Sequence, residues 1–281
     1  MVRTARIRCV MRVGYAARAV GAIAAQPYEG LERVLERVAE DAEVRRRSWR
    51  YVPTHDAERR LHELLEIPWP CDARAEFDEL WPLLMGRLRR QGRDIGRGAF
   101  GGWDDADAGL GRVTFCLTRH LRPHAVVETG VARGLTSSII LDGLERNGRG
   151  RLWSIDLPPL IDADLGEQIA CAVEDAQRPR WTLLKGSSRR LLGALVAGLP
   201  CVGLFVHDSM HTTRNVGFEL GVIWPALAQG GGAIIDDVEK NRAFGAFTRA
   251  HPEARAVVFS ADDRRALFGC LIKPRAEQAG S

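Results

Sequence analysis

The feature that most constrains the fold is a regular alternation of short apolar segments and amphipathic segments after residue 120. The apolar runs are typical of strands and lie at 124–128, 151–156, 180–185, 201–207, 232–236, 255–259 and 267–272. Helical patterns separate them at 136–147, 162–177, 188–197, 213–228 and about 240–250. This alternation predicts a Rossmann-like, doubly wound and mostly parallel α/β sheet with helices on both faces.

The last two predicted strands break this pattern. Only residues 260–266 separate them, and a parallel crossover takes about a dozen residues or more. The pair is therefore predicted to form a C-terminal antiparallel hairpin at the end of a seven-stranded sheet.

Before residue 107 the chain is predicted to be helical, so we expect two parts: a helical N-terminal extension at 1–106 and an α/β domain at 107–281. Apolar residues at helical spacing predict packing faces for three helices. They are Leu31, Val34, Leu35, Val38 and Ala42; then Leu61, Leu64 and Leu65; then Phe77, Leu80, Leu84 and Leu88, with a disturbance expected at Pro82. Five glycines between 92 and 102 predict a loop, either a mobile lid or a plain linker.

The net charge of +4 is concentrated at the N-terminus, where residues 1–20 contain five arginines and no acid. The remainder is nearly neutral, so nucleic acid is not an expected partner. No window is long and apolar enough for a membrane span, although contact of residues 1–20 with an anionic membrane surface stays open. A homo-oligomer also stays open.

The six cysteines are scattered and include no Cys-x-x-Cys pair, so a zinc site is not expected. Cys116, Cys201 and Cys270 have apolar neighbours and are interpreted as reduced core residues. Such cysteines favour a cytoplasmic protein.

Polar residues follow the predicted strands at the edge where open α/β sheets bind ligands. The first strand continues into Glu128, Gly130 and Gly134, and the next ends at Asp156. The third ends near Gly186 and Ser187, the fourth at His207-Asp208 and the fifth at Asp236-Asp237. Glycines let a ligand approach the backbone, and the free N–H groups of a helix N-terminus can bind it.

Asp236 and Asp237 are the hardest of these residues to explain as structural. Adjacent carboxylates that end a buried strand repel each other unless something neutralises them. Asp208 ends the neighbouring predicted strand, and three oxygen ligands favour a hard cation such as Mg²⁺ over zinc.

With these residues in place, the chain resembles class I S-adenosylmethionine-dependent methyltransferases over roughly residues 107–272. More narrowly, Asp208-Ser209-Met210-His211 followed by Asp236-Asp237 resembles metal-dependent O-methyltransferases of natural-product biosynthesis, including macrolide-sugar methyltransferases and proteins labelled cephalosporin hydroxylase. The sequence departs from the usual pattern in having Ala132 in place of a glycine, and Ser187 where relatives often have an acid.

The resemblance implies S-adenosylmethionine as cofactor, bound by Glu128, Gly130, Gly134, Asp156, Gly186 and Ser187. Gly130 and Gly134 would leave room for its amino-acid end, and Glu128 would hold the ammonium group directly or through water. Asp156 would hold the ribose hydroxyls.

The resemblance also implies Mg²⁺ bound by Asp208, Asp236 and Asp237. The cation would coordinate a hydroxyl of a small, sugar-like or polyhydroxylated acceptor. Asp208 and His211 would then be the catalytic residues, with His211 as general base and His207 as its competitor.

Three alternatives remain open at this point. One is a methyltransferase that needs no metal. A second is a nicotinamide-dependent reductase, which the missing Gly-x-Gly-x-x-Gly pattern disfavours. The third is a non-catalytic Rossmann-like binding module.

Overall fold

A computed structural model describes residues 26–46, 49–157, 159, 162–262 and 265–275. The α-helices are α1 (Pro27–Arg46), α2 (Ala57–Leu65), α3 (Arg74–Arg90), α4 (Ala108–Leu121), α5 (Leu135–Arg146), α6 (Ala163–Gln168), α7 (Ser188–Ala197), α8 (Thr213–Ala226) and α9 (Ala243–Ala250). The strands are β1 (Ala125–Thr129), β2 (Arg151–Asp156), β3 (Trp181–Lys185), β4 (Val202–His207), β5 (Leu227–Ile235), β6 (Arg255–Ser260) and β7 (Leu267–Ile272).

All seven strands form one sheet in the order β3-β2-β1-β4-β5-β7-β6. The first five are parallel, and β7 runs antiparallel to both β5 and β6. The predicted doubly wound sheet and its terminal antiparallel hairpin are confirmed. We call the edge where the parallel strands finish the carboxyl edge, and the opposite one the amino edge.

Both faces of the sheet are covered because its strands are apolar on both sides. On one face α2, α4 and α5 pack against β1, β2 and β4. On the other, α7, α8 and α9 cover the same strands and β5. Phe77, Leu84 and Leu88 of α3 pack on Phe115 of α4, as their spacing predicts. Helix α2 therefore shares a core with the sheet, and α3 packs on helices of that layer.

Three predicted elements differ in detail. The helix expected at 162–177 is two short pieces, α6 and a 3-10 helix at Asp175–Arg180, because Ala170 adopts a left-handed conformation with φ 61°. Strand β5 begins earlier than predicted and has an irregular register with β4. Helix α3 continues through Pro82 instead of restarting there.

Helix α1 is oriented opposite to the prediction. Its apolar stripe faces solvent, with Leu31 55% and Val38 62% exposed, whereas Glu29, Glu32 and Glu36 are buried. The acids form ion pairs with arginines at the starts of α7 and α8. The expected packing face of α1 is therefore wrong, whereas those of α2 and α3 are confirmed.

The arginine-rich stretch 1–20 lies outside the described residues. Among the helices that the structure does describe, none is long and apolar enough to cross a membrane.

Candidate active site

Hydrogen bonds that continue past the strand ends fasten the predicted site residues to one another. The backbone N–H of Gly186 donates to Asp156 O at 2.8 Å, and that of Asp208 donates to Thr129 O at 2.8 Å. The N–H of Asp236 donates to His207 O at 2.9 Å. These bonds join the end of β3 to that of β2, the end of β4 to that of β1, and the end of β5 to that of β4 along the carboxyl edge.

The turn after β1 depends on glycine for two reasons. Gly130 has φ +85°, and a Cβ there would lie 1.8 Å from the carbonyl oxygen of Asp208. Gly130 therefore permits close contact between the loops after β1 and β4. Gly134, with φ +80°, begins α5. Ala132 also has a positive φ, 46°, a conformation that glycine adopts without steric cost.

Glu128 is fully buried at the end of β1. Its Oε2 accepts hydrogen bonds from Ser137 and Ser154, both at 2.6 Å, while Oε1 has no partner. Burial, with the charges of Asp208 and Asp156, raises the pKa of Glu128 to about 8. An unpartnered carboxylate oxygen in such a place favours a cationic ligand or a bridging water.

Asp156 supports the glycine turn directly, since its Oδ1 accepts the N–H of Val131 at 3.1 Å. Burial raises the pKa of this carboxyl. At the next strand end, Glu29 of α1 accepts the backbone N–H of Ser187 at 3.0 Å and pairs with Arg190 at 2.6 Å. Helix α1 therefore covers the end of the crevice predicted to bind adenine.

Three side chains form what we call the carboxylate cluster: Asp208, His211 and Asp236. One potential ligand atom from each lies within 4.8 Å of the others. Asp237, the remaining predicted ligand, adopts a left-handed φ of 51°. Its Oδ2 lies 3.4 Å from Nε2 of His211 and contacts Lys240. The structure thus places His211 beside the predicted metal ligands Asp208 and Asp236 and gives Asp237 a lysine partner.

The electrostatics of the carboxylate cluster suit a bound cation. Burial and the charge of Asp237 raise the pKa of Asp208 to about 7, and they raise that of Asp236 well above its usual range. Burial lowers the pKa of His211 to about 4, so its imidazole is neutral near pH 7. Half-buried acids that repel one another and offer oxygen donors fit a divalent cation of the Mg²⁺ or Mn²⁺ type.

His207, the competing candidate base, belongs to a buried network. Its Nδ1 lies 2.7 Å from Glu219, whose carboxylate also accepts from Thr129 at 2.6 Å and Ser209 at 3.0 Å. Asn215 donates to the same carboxylate at 2.9 Å. This network positions the loop that carries Asp208 and His211, so the geometry favours His211 over His207 as the base.

Comparison with known proteins agrees with the fold. A family model described as a methyltransferase domain matches residues 127–238, which include the glycine turn and the carboxylate cluster. Residues 127–238 therefore form a methyltransferase domain with the class I fold. A comparison with curated proteins found no match.

Solved structures similar to this methyltransferase share its fold. A putative O-methyltransferase from Klebsiella pneumoniae is 17% identical with a TM-score of 0.53, over 78% of this chain and 96% of that one. The O-methyltransferase TomG from Streptomyces achromogenes is 13% identical with a TM-score of 0.52, over 69% of this chain and 89% of that one. It is involved in tomaymycin synthesis and was solved with SAM. An O-methyltransferase from Bacillus cereus in complex with SAH is 13% identical with a TM-score of 0.52, over 75% and 96%.

Two buried charged residues of the methyltransferase were missed by the sequence analysis. Glu219 lies within the otherwise apolar pattern of α8. A single acid in such a pattern indicates that its carboxylate has a buried polar partner. Arg133 donates to Asp105 at 2.8 Å and to Gln168 at 2.9 Å. It also donates to the carbonyl of Ala99 at 2.7 Å. Arg133 therefore fastens the glycine-rich loop to the turn after β1.

Proposed function

We propose that this methyltransferase transfers the methyl group of S-adenosylmethionine to a hydroxyl oxygen of a small, polyhydroxylated acceptor, with help from Mg²⁺ or a similar cation. The observation that carries the proposal is the position of the carboxylate cluster beside the glycine turn, on one edge of one sheet. The O-methyltransferases from Klebsiella pneumoniae and Bacillus cereus support oxygen as the atom methylated. Reduced cysteines support a cytoplasmic enzyme.

On the donor side, Glu128 is the proposed partner of the cofactor's ammonium group. Its free Oε1 can receive that group directly or through one water. We assign the ribose hydroxyls to Asp156 and the adenine end to Gly186 and Ser187, as the resemblance implies. When bound, the cofactor would supply a methyl group on a positively charged sulfur, and the turn at Gly130 would leave room for its amino-acid end.

On the acceptor side, Asp208 and Asp236 are the proposed ligands of the cation, with Asp237 as the third carboxylate. When bound, the cation lowers the pKa of an acceptor hydroxyl. Nε2 of His211 lies 3.8 Å from Asp208 Oδ1, within reach of a hydroxyl held there. Because His211 is neutral near pH 7, it can accept the hydroxyl proton.

The test is calorimetry with S-adenosylmethionine, followed by methyl transfer to a panel of vicinal diols and their single-hydroxyl analogues. We expect cofactor binding without metal, turnover only with a divalent cation, and preference for diols. Full turnover after exhaustive EDTA treatment would favour the metal-independent alternative. Absence of cofactor binding would contradict the methyl-transfer proposal altogether.

A further inference from the structure

A second cluster lies away from the carboxyl edge. We call it the thiolate cluster, and it comprises His62, Cys71, Cys116 and His120. His62 is on α2, Cys71 is in the connection from α2 to α3, and Cys116 and His120 are four residues apart on α4. Residues four apart share a helix face, so α4 presents two ligands to the same point.

The potential ligand atoms are close enough to share one ion. All four lie within 4.8 Å of one another. The two Sγ atoms are 3.4 Å apart, Cys71 Sγ is 3.5 Å from His120 Nε2, and Cys116 Sγ is 3.4 Å from His62 Nε2. A tetrahedral zinc with ordinary bond lengths separates its sulfur ligands by about 3.8 Å and sulfur from nitrogen by about 3.5 Å. The observed spacing is within a few tenths of an ångström of that geometry.

The surroundings of His62 orient it as a metal ligand. Its Nδ1 lies 2.6 Å from the carbonyl oxygen of Pro68. That oxygen can only accept, so Nδ1 carries the proton and Nε2 presents its lone pair to the cluster. On the exposed side, Asp72 Oδ1 lies 3.3 Å from His120 Nε2 and could compete for this imidazole.

We propose that the thiolate cluster binds one structural Zn²⁺. Two thiolates and two neutral imidazoles give a neutral complex, which suits a site where His62 and Cys116 are buried. Thiolates select zinc over Mg²⁺, and four protein ligands leave no open position for a substrate. The ion would join α2, the connection after it and α4, and so fasten the N-terminal extension to the methyltransferase domain.

The position of the cluster also indicates a structural role. Helix α4 ends at Leu121 and β1 begins at Ala125, so Cys116 and His120 lie towards the amino edge of the sheet. The carboxylate cluster lies at the opposite edge. The two sites are therefore expected to bind different metals and to respond separately to mutation.

The test is the metal content of the full chain, purified without a histidine tag and measured by mass spectrometry of the elements. We expect about one zinc per chain in the wild type and a loss of most of it in Cys71→Ser and Cys116→Ser. Cys171→Ser is the matched control, because Cys171 is also half-buried but lies outside the cluster. It should retain the zinc, as should Asp208→Asn.

A measurement on the wild type guards against variants that fail to fold. Replacement of zinc by Co²⁺ should produce a thiolate-to-cobalt charge-transfer absorption, and titration of the zinc-free, denatured chain should detect all six thiols. Zinc-free protein with two fewer thiols would show a disulfide between Cys71 and Cys116 and overturn the proposal. So would zinc that depends on Asp208 and not on Cys71, or zinc-free protein with every thiol intact.

Discussion

The two edges of the sheet hold clusters of opposite chemistry. At the carboxyl edge, Asp208, His211 and Asp236 offer mainly oxygen and leave half-buried charges poorly balanced. Towards the amino edge, the thiolate cluster offers sulfur and nitrogen, and its two thiolates would balance the charge of a divalent ion. Unbalanced charge therefore lies at the edge where we propose the reaction, and balanced charge at the edge where we propose a structural ion.

The largest expected effect is on turnover at the carboxyl edge. Asp236→Asn removes a proposed cation ligand and should lower kcat by roughly 100-fold or more, while calorimetry finds S-adenosylmethionine binding little changed. The matched control is Asp175→Asn, since Asp175 is a fully exposed acid far along the chain from the cluster. Equal kcat values for Asp236→Asn and Asp175→Asn would contradict the proposed role of the carboxyl edge in catalysis.

The amino edge should respond through stability. Cys71→Ser would remove the zinc, and we expect its unfolding temperature to fall by at least about 5 °C, against about 1 °C for Cys171→Ser. In the wild type, brief EDTA treatment should stop turnover without lowering the unfolding temperature. Addition of Mg²⁺ should then restore the rate of methyl transfer. Differential scanning fluorimetry and a methyl-transfer assay on the same samples check both.

Glu128 offers a test by pH. Its folded pKa is raised to about 8 from an ordinary 4.5, so the folded chain binds more protons than the unfolded chain between those values. Stability contributed by this group is therefore lost as pH rises from about 5 to 8. Glu128→Gln should flatten that decline in the free energy of unfolding and also weaken cofactor binding. A wild-type stability that rises over this range would contradict the burial of a protonated Glu128.

The smallest expected effect concerns α1, which covers the carboxyl edge through charges. Glu36 is buried against Thr212 and Arg214, whereas Glu40 on the same helix is half-exposed. Glu36→Gln should destabilise docking of α1 by about 1–3 kcal/mol, and Glu40→Gln by less than about 0.5 kcal/mol. Hydrogen exchange of α1 amides measures the difference, and similar exchange in both variants would show that charge does not hold the helix.

Sequence patterns predicted the sheet and the acids on its carboxyl edge because both depend on local order. The alternation of apolar and amphipathic segments defined the strands. Parallel strands bring their carboxyl ends to one edge independently of the loop conformations. The face of α1 was wrong because periodicity identifies an apolar stripe but not the arginines, such as Arg214, that attract the other side.

The thiolate cluster could not be predicted because its ligands come from separate segments. Only Cys116 and His120 have a recognisable spacing, and the lack of a Cys-x-x-Cys pair argued against zinc. The interpretation of Cys201 as a core residue was also wrong, since it is exposed in the turn before β4, whereas Cys116 and Cys270 are buried as expected. The raised pKa of Glu128 likewise follows from complete burial, which no local pattern reports.

The thiolate cluster also affects where this enzyme can be joined to a relative in a chimeric protein. The stretch recognisable as a methyltransferase domain begins at residue 127, after all four ligands. A chimera joined at residue 107 would take His62 and Cys71 from one parent and the remaining two ligands from the other. A hybrid between parents that do not both carry the full set would inherit half a metal site. Recombination is therefore better tolerated before α2 than at the start of α4.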